Sequence, residues 1–464
     1  MTRITNTSRR AFLQRASALS IAGTAAPWAL NLAAMGEAAA ATATDYKALV
    51  CIFLYGGNDY ANTLIPFDTA NYNAYQAMRP PLAYAQSALA ATALTPNVAP
   101  PGTALPSGRQ YALAPELAPL LPMFNASKLG VMLNVGTLVG PTTKAQYTAA
   151  SVPLPPKLFS HNDQQSVWQS SAPEGATSGW GGRIGDLYAA GNGNATFTCV
   201  NVSGNAVFLS GRTAVQYQVT SAGPVALAGV QSPLFGSSAC SSALKALVTA
   251  SRTDVFESEY NRVMSRSLDA GSQLTAALAA APSITTVFPT GNSLGDQLKL
   301  VARMISNADA IGAKRQVFFV SLGGFDNHDG LNALHPGLLT TVADAMSAFY
   351  KATVELGVAN QVTAFTASDF GRTATGNDGS DHGWGSMHFM LGGAVNGGRF
   401  YGTAPAVANN GPDDVGQGRL LPSTSVDQYA ATLGKWFGIS DTDLLTVLPN
   451  LVNWNVSQRN IGFV

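Results

Sequence analysis

Charge is scarce in this chain. Of its 464 residues only 11% are Asp, Glu, Lys or Arg, with 26 of each sign, so the formal net charge is zero. A nucleic-acid binder needs a basic face to meet phosphate; none is legible, and nucleic acid is not an expected partner. Cysteine is nearly absent as well, and the three that occur, Cys51, Cys199 and Cys240, cannot all pair. Cys51 lies in the apolar run ALVCIFLY and reads as a buried small hydrophobe, which leaves Cys199 and Cys240 as a candidate disulfide in an oxidising compartment. There is no CxxCH haem attachment, no cysteine spacing for an iron–sulfur cluster, and the GGND after the first apolar run lacks the GxGxxG spacing of a dinucleotide site. A redox-cofactor protein is therefore the weakest reading. Beyond the N-terminus no apolar run approaches the roughly 18 residues that a spanning helix needs, so no stable membrane span is expected.

What the chain does have is length and apolar content. Its 46% hydrophobic residues suffice for a large buried core. At the N-terminus Ser8-Arg9-Arg10-Ala11-Phe12-Leu13-Gln14 precedes a mildly apolar stretch and an Ala-rich segment with A-x-A patterns near Ala41 and Ala43. This has the form of a twin-arginine export signal over residues 1–43; small residues and helix breakers fit a buried N-terminal helix poorly. Its removal takes away Arg3, Arg9, Arg10, Arg15 and Glu37 and leaves residues 44–464 slightly acidic. The expected location is periplasmic or secreted, and the twin-arginine export machinery is an expected partner. That machinery carries folded substrates, which makes a preloaded ion plausible.

Four apolar runs end abruptly in Gly and acidic residues: KALVCIFLYGGND (47–59), LGVMLNVGTL (129–138), RQVFFVSLGGFDNH (315–328) and NQVTAFTASDFGRT (360–373). They are too short for typical helices and read as buried parallel strands. Helical patterns over residues 253–281, 293–310 and 335–357 alternate with them. The pattern predicts an α/β fold, a three-layer sandwich around a central, mostly parallel sheet. Residues 190–240 are Thr-, Val- and Gly-rich and read as a β-rich insertion within one large domain.

Ligands of such sheets bind beyond the carboxyl ends of the strands, where the acidic clusters fall. Asp59, Asp326 and Asp369 each finish a predicted strand, and His161, His328, His382 and His388 lie near carboxylates in FSHNDQQ, FDNHDG and GSDHGWGSMHF. Imidazole with carboxylate suits zinc, manganese or iron, whereas carboxylates alone favour magnesium or calcium. Each residue also has a plainer account. Asp59 could form a turn, Asp369 could cap a loop with Arg372 as its ion pair, Ser160 could be an N-cap with Asp163 completing a capping box, His388 could be a core histidine, and His335, before Pro336, reads as a surface residue.

In order along the chain, LYGGNDYANTLIP, LFSHNDQQSVWQ, GWGGRIGDL, GGFDNH, SDFGRT, SDHG, LGGAVNGGRFYG and VDQYAATLGKWFGIS resemble the bacterial domain of unknown function 1501 family. That family is placed by similarity in the alkaline phosphatase and sulfatase superfamily, whose members hydrolyse or transfer phosphate and sulfate esters at a two-metal site. The resemblance implies an alkaline phosphatase-like fold and a metal-dependent hydrolase acting on a small anionic ester. It maps Asp59 onto a ligand of the second metal, Ser160 onto the nucleophile, Asp326, His328 and His382 onto the first metal site, and Asp369 onto the second shared aspartate. Phe370 stands where superfamily hydrolases place a histidine, so one divalent metal (zinc, manganese, magnesium or calcium) is expected rather than two. Arg372 would replace the second ion as an anion-binding fork, and Asp381 and His388 would support the ligands from behind, Asp381 orienting His382. The competing expectation is a non-catalytic envelope or anion-binding protein that retains the fold.

Overall fold

The structure is a computed structural model that describes residues 43–464; the segment expected to be an export signal, apart from its last residue, lies outside the described residues. Fourteen strands occur among them: β1 (Lys47–Leu54), β2 (Leu64–Pro66), β3 (Tyr111–Leu113), β4 (Leu129–Gly136), β5 (Cys199–Asn201), β6 (Tyr217–Thr220), β7 (Gly223–Pro224), β8 (Arg315–Leu322), β9 (Val362–Ser368), β10 (Arg372–Gly376), β11 (Ser380–His382), β12 (Ser386–Gly392), β13 (Arg399–Gly402) and β14 (Thr424–Ser425). Ten of them form one sheet in the order β13-β4-β12-β9-β1-β8-β5-β6-β7, with β14 also pairing with β4. β12 runs antiparallel to both its neighbours and β7 to β6; every other pairing is parallel. This is the mixed, mostly parallel α/β sheet that the apolar runs predict.

Period-two alternation sends the two faces of the central strands to different layers. Ala48, Val50 and Ile52 of β1 share a core cluster with Leu298 and Val301 of the helix Ser293–Ile305 and Met346 of the helix Leu331–Glu355. The intervening Phe53 meets Trp168 of the helix His161–Ser170 edge-on at 6.4 Å, and on the neighbouring strand β9 Phe365 lies against Trp180 of the helix Trp180–Tyr188 (5.6 Å) and Tyr429 of the helix Val426–Phe437 (5.8 Å). One side of the sheet is thus covered by aliphatic packing and the other by aromatic rings, which is why the strands read as unbroken apolar runs rather than alternating ones.

Residues 190–240 do not build a separate β layer. Their short strands β5, β6 and β7 extend the edge of the main sheet beyond β8, and the rest is 3₁₀ turns leading into the helix Ser238–Thr249. Cys199 opens β5 and is buried, whereas Cys240 is exposed on that helix, so the two thiols are free and do not pair. His335 also departs from expectation: the helix Leu331–Glu355 starts before it and runs through Pro336, and the imidazole is fully buried, with Nε2 3.0 Å from Asn58 Oδ1. Burial holds its pKa down at about 4. Among the described residues no helix is long and apolar enough to cross a membrane.

Candidate metal centre

The register of the three central strands places the site. Leu54 at the end of β1 lies opposite both Leu322 of β8 and Ser368 of β9, so the three chains leave the sheet level with one another. Gly56, Asp326 and Asp369 follow within four residues of those ends. The β1 turn can pass between its neighbours only without side chains. Gly56 has φ +114°, and a Cβ there would sit 2.4 Å from Asp326 N; one on Gly57 would sit 2.6 Å from the Phe370 ring. The backbone N–H of Gly56 instead reaches Asp369 Oδ2 at 3.2 Å.

Three histidines converge over Asp326. His161 opens its helix, His328 lies in the loop after β8, and His382 ends β11. Their outer nitrogens are all engaged by oxygen: His161 Nδ1 with Asp369 Oδ2 at 2.6 Å, His328 Nδ1 with Asp381 Oδ1 at 3.1 Å, and His382 Nδ1 with the Phe159 carbonyl at 2.7 Å. Carboxylates and carbonyls only accept, so each Nδ1 carries a proton, and each Nε2 points inward, with a lone pair when its ring is neutral. Those lone pairs face one another and Asp326. His382 Nε2 lies 3.0 Å from His161 Nε2 and 2.9 Å from His328 Nε2, while Asp326 oxygens lie 3.0 to 3.4 Å from the three nitrogens. With the rings neutral, these atoms form a ready set of donors for a cation.

The donor set fits a divalent ion. Ligand atoms around a tetrahedral zinc with Zn–N of about 2.0–2.1 Å are about 3.3 Å apart, close to these separations. His161, Asp326 and His382 each offer an atom within 4.8 Å of the others, and His328 Nε2 adjoins them. Oxygen partners on the far nitrogen are also what orients imidazole ligands in metal sites. The Phe159 carbonyl is aimed by a left-handed backbone, φ +72° at a non-glycine residue, a conformation that costs on the order of 1–3 kcal/mol and clusters at functional sites.

Asp369 acts one step back. Its Oδ2 accepts from His161, from Gln165 Nε2 at 2.8 Å and from Gly56, while its Oδ1 is buried without a partner. The bond to Asp369 raises the His161 pKa, whereas burial lowers that of His382. Arg372 is fully buried: Nη1 donates to Asp326 Oδ1 at 2.6 Å and to the Gly56 carbonyl at 3.1 Å, and Nη2 donates to the Ser380 carbonyl. For Asp326 burial favours the neutral acid, but the bond and charge of Arg372 together with the charges of His161 and His328 outweigh it and keep the carboxyl below its usual value.

The structure therefore brings Asp326, His328, His382, Asp369, Arg372 and Asp381 together and leaves other expected site residues apart. Asp59 caps the 3₁₀ turn Tyr60–Asn62 and pairs with Arg79 at 2.8 Å, both side chains buried, so it has no place around the histidines. Ser160 precedes its helix without capping it and donates to Asp163 Oδ2 at 3.0 Å. Asp381 touches His328 rather than His382. His388 is buried in β12, with Nδ1 3.2 Å from Thr366 Oγ1 and the ring edge-on to Trp168; burial holds it neutral, with a pKa of about 3. Phe370 is buried against the His161 and His382 rings at 4.8 and 4.9 Å, packing them where a ligand was expected. His161 was noted among the histidines near carboxylates but given no place in the mapped site. The signal was the FSHND segment itself, read there for its serine.

A family model described as "Protein of unknown function (DUF1501)" matches residues 46–448, and the chain belongs to that family. No curated protein matches it. Solved structures with similar chains include Ps i-CgsB in complex with k-i-k-neocarrahexaose (10% identity, 90% of this chain and 78% of that one, TM-score 0.35). Two others are the lipoteichoic acid synthase LtaP from Listeria monocytogenes (8%, 90% and 80%, TM-score 0.36) and the PsFucS1 sulfatase from Pseudoalteromonas sp. (9%, 86% and 68%, TM-score 0.32).

Proposed function

We propose that this chain is an exported, single-metal hydrolase-like protein acting on phosphate or sulfate esters. The observation that carries the reading is the convergence of three Nε2 lone pairs on Asp326, each fixed by an oxygen on the opposite nitrogen. His161, Asp326 and His382 would hold the ion with His328 beside them, and this imidazole-rich set favours zinc, manganese or iron over magnesium or calcium. When bound, the ion would supply Lewis acidity toward an ester oxygen and a lowered pKa for water. One ion rather than two is the reading, because Asp59 is committed to Arg79 and Phe370 has no ligand atom.

The remaining groups divide the work. Asp369, braced by Gln165 and Gly56, holds the His161 tautomer, and Arg372 fixes Asp326. Because the donors of Arg372 are taken by the protein, the anion-reading role falls to Arg419. Its Nε donates to the His382 carbonyl at 2.7 Å, its guanidinium lies over the Phe159 ring at 5.0 Å, and its Nη groups make no hydrogen bond among the described residues. Arg419→Ala is expected to weaken inorganic phosphate or sulfate binding by about tenfold, the order of one charge-assisted hydrogen bond, without loss of metal. The twin-arginine motif at Ser8–Gln14 supports delivery to the periplasm or beyond.

The alternative, a non-catalytic anion-binding descendant, draws on Phe370, which fills the position of a second-metal ligand. An aryl phosphate and aryl sulfate turnover assay separates the two. Hydrolysis by the metal-loaded chain that disappears in Asp326→Ala supports the enzyme; anion binding with no turnover supports the alternative.

A further inference from the structure

The two-stranded sheet of β2 and β3 and the helix Thr69–Met78 wall a cavity that none of the metal-facing side chains lines. Tyr75 and Met78 stand three residues apart and so share a helix face, Leu64 and Tyr111 come from the strands, and Tyr60 and Met387 complete the inner wall. The outer wall is the loop 405–414, where Ala406 and Val407 are partly exposed. The cavity measures about 40 Å³ on the scale by which one ordered water needs about 10–15 Å³. Its walls are rings, methyl groups and thioethers whose polar neighbours are engaged. The Tyr60 hydroxyl donates to the Gly418 carbonyl at 3.2 Å, that of Tyr75 to Asn62 Oδ1 at 2.7 Å, and that of Tyr111 accepts from Arg109 Nη1 at 2.9 Å. Asp414, also on the wall, accepts from the backbone N–H groups of Asn410, Gly416 and Gly418. Arg79, which ends the helix and lines the cavity, is the exception. It is fully buried and gives Nη2 to Asp59, yet its Nε and Nη1 have no partner among the described residues. Buried donors are nearly always bonded.

We infer that this cavity binds a small uncharged ligand, a single hydrocarbon ring bearing a carbonyl oxygen that accepts from Arg79. The lining selects the ring: an apolar cavity holds water poorly and takes apolar guests, and the unbranched side chains of Met78 and Met387 adapt to a guest's shape. Charge balance excludes an ion. Asp59 already neutralises Arg79, so a carboxylate or phosphate would bring a second negative charge into a buried space with no counter-ion, and an ammonium would face the guanidinium. A carbonyl accepts without donating, which suits a wall whose spare polar groups are N–H donors. The site adjoins the metal centre without entering it, since Ala374 on its wall lies two residues after Arg372 in β10 and Gly418 directly precedes Arg419.

Saturation-transfer NMR titration of the purified chain with cyclohexanone and with methylcyclohexane, which has the same shape but no oxygen, tests this. Cyclohexanone is expected to bind saturably with Kd on the order of 1 mM and about tenfold tighter than methylcyclohexane, the order of one hydrogen bond to a charged donor. Ala406→Leu fills the cavity from its outer wall and should abolish binding of both rings while thermal midpoint and metal content stay at the wild-type values. Arg79→Met with Asp59→Leu removes the donors and their counter-ion together and should erase the preference for the ketone while still binding the hydrocarbon, a result that misfolding cannot produce. Absence of saturable binding by the wild type, binding unchanged in a folded Ala406→Leu chain, or equal affinity for the two rings in the wild type would each overturn the inference.

Discussion

Asp427, in the first turn of the helix Val426–Phe437, is fully buried. Burial pushes its pKa up to about 6, although Ser171 and the charge of Arg183 pull the other way. A carboxyl with a folded pKa above its unfolded value of about 3.9 binds more protons when folded, so stability falls as pH rises from about 4 to 6. Asp427→Asn is expected to stabilise the chain by about 2–3 kcal/mol at pH 8 and to have little effect at pH 4, as urea unfolding at the two pH values would show. Asp59 and Arg79 make the opposite case, a buried pair in which burial opposes ionisation of Asp59 and the charges of Arg79 and His335, with hydrogen bonds from Arg79 and Ser380, together outweigh it. Removing one partner strands the other, so Arg79→Met should cost about 3–5 kcal/mol, more than Arg79→Met with Asp59→Leu. Metal content of the double variant should match the wild type, since neither residue faces the histidines. At this scale the sequence was legible for Asp326 and His382, whose residue types and strand-end positions carry their chemistry. It was not legible for Asp59, because an aspartate after a strand looks the same whether it meets an ion or a distant arginine, and Arg79 lies 20 residues away.

At the level of elements, the site depends on three strand ends staying level and on the glycine turn that passes between two of them. Gly56→Ala would set a methyl group against the backbone of Asp326 in a conformation L residues rarely adopt. A loss of at least about 2 kcal/mol in thermal or urea unfolding is expected, together with weakened metal binding, because Asp326 and the Gly56 N–H that braces Asp369 shift together. The strands themselves were readable, since apolar runs ending in Gly, followed by Asp in all but β4, match β1, β4, β8 and β9 closely. Residues 190–240 were harder. Their β-like composition is real, but whether such short strands make their own layer or join an existing edge is decided by pairing with β8, a long-range contact that no local pattern encodes. The helix Leu331–Glu355 similarly overrides the local signal of His335-Pro336, because burial of Leu331 and Leu339 draws the earlier turn into the helix.

For the molecule as a whole, the order β9-β1-β8 is what makes a centre out of separated segments. It sets Asp369 and Asp326 on either side of the Gly56 turn, while the His161 helix and the β10–β11 hairpin bring the histidines over them. Superfamily resemblance anticipated two residues of that group as first-metal ligands with His328, but the oxygen partners that turn the three Nε2 atoms inward exist only in three dimensions. The central claim is that one divalent ion is held by His161, Asp326 and His382. Its most direct test is the metal-to-protein ratio of the purified chain by plasma mass spectrometry after loading with zinc or manganese, beside His161→Ala, Asp326→Ala and His382→Ala. The account predicts one ion per chain in the wild type and a loss of at least about tenfold in each variant's affinity. Two ions per chain, none after loading, or a His161→Ala variant that binds metal as the wild type does would contradict it.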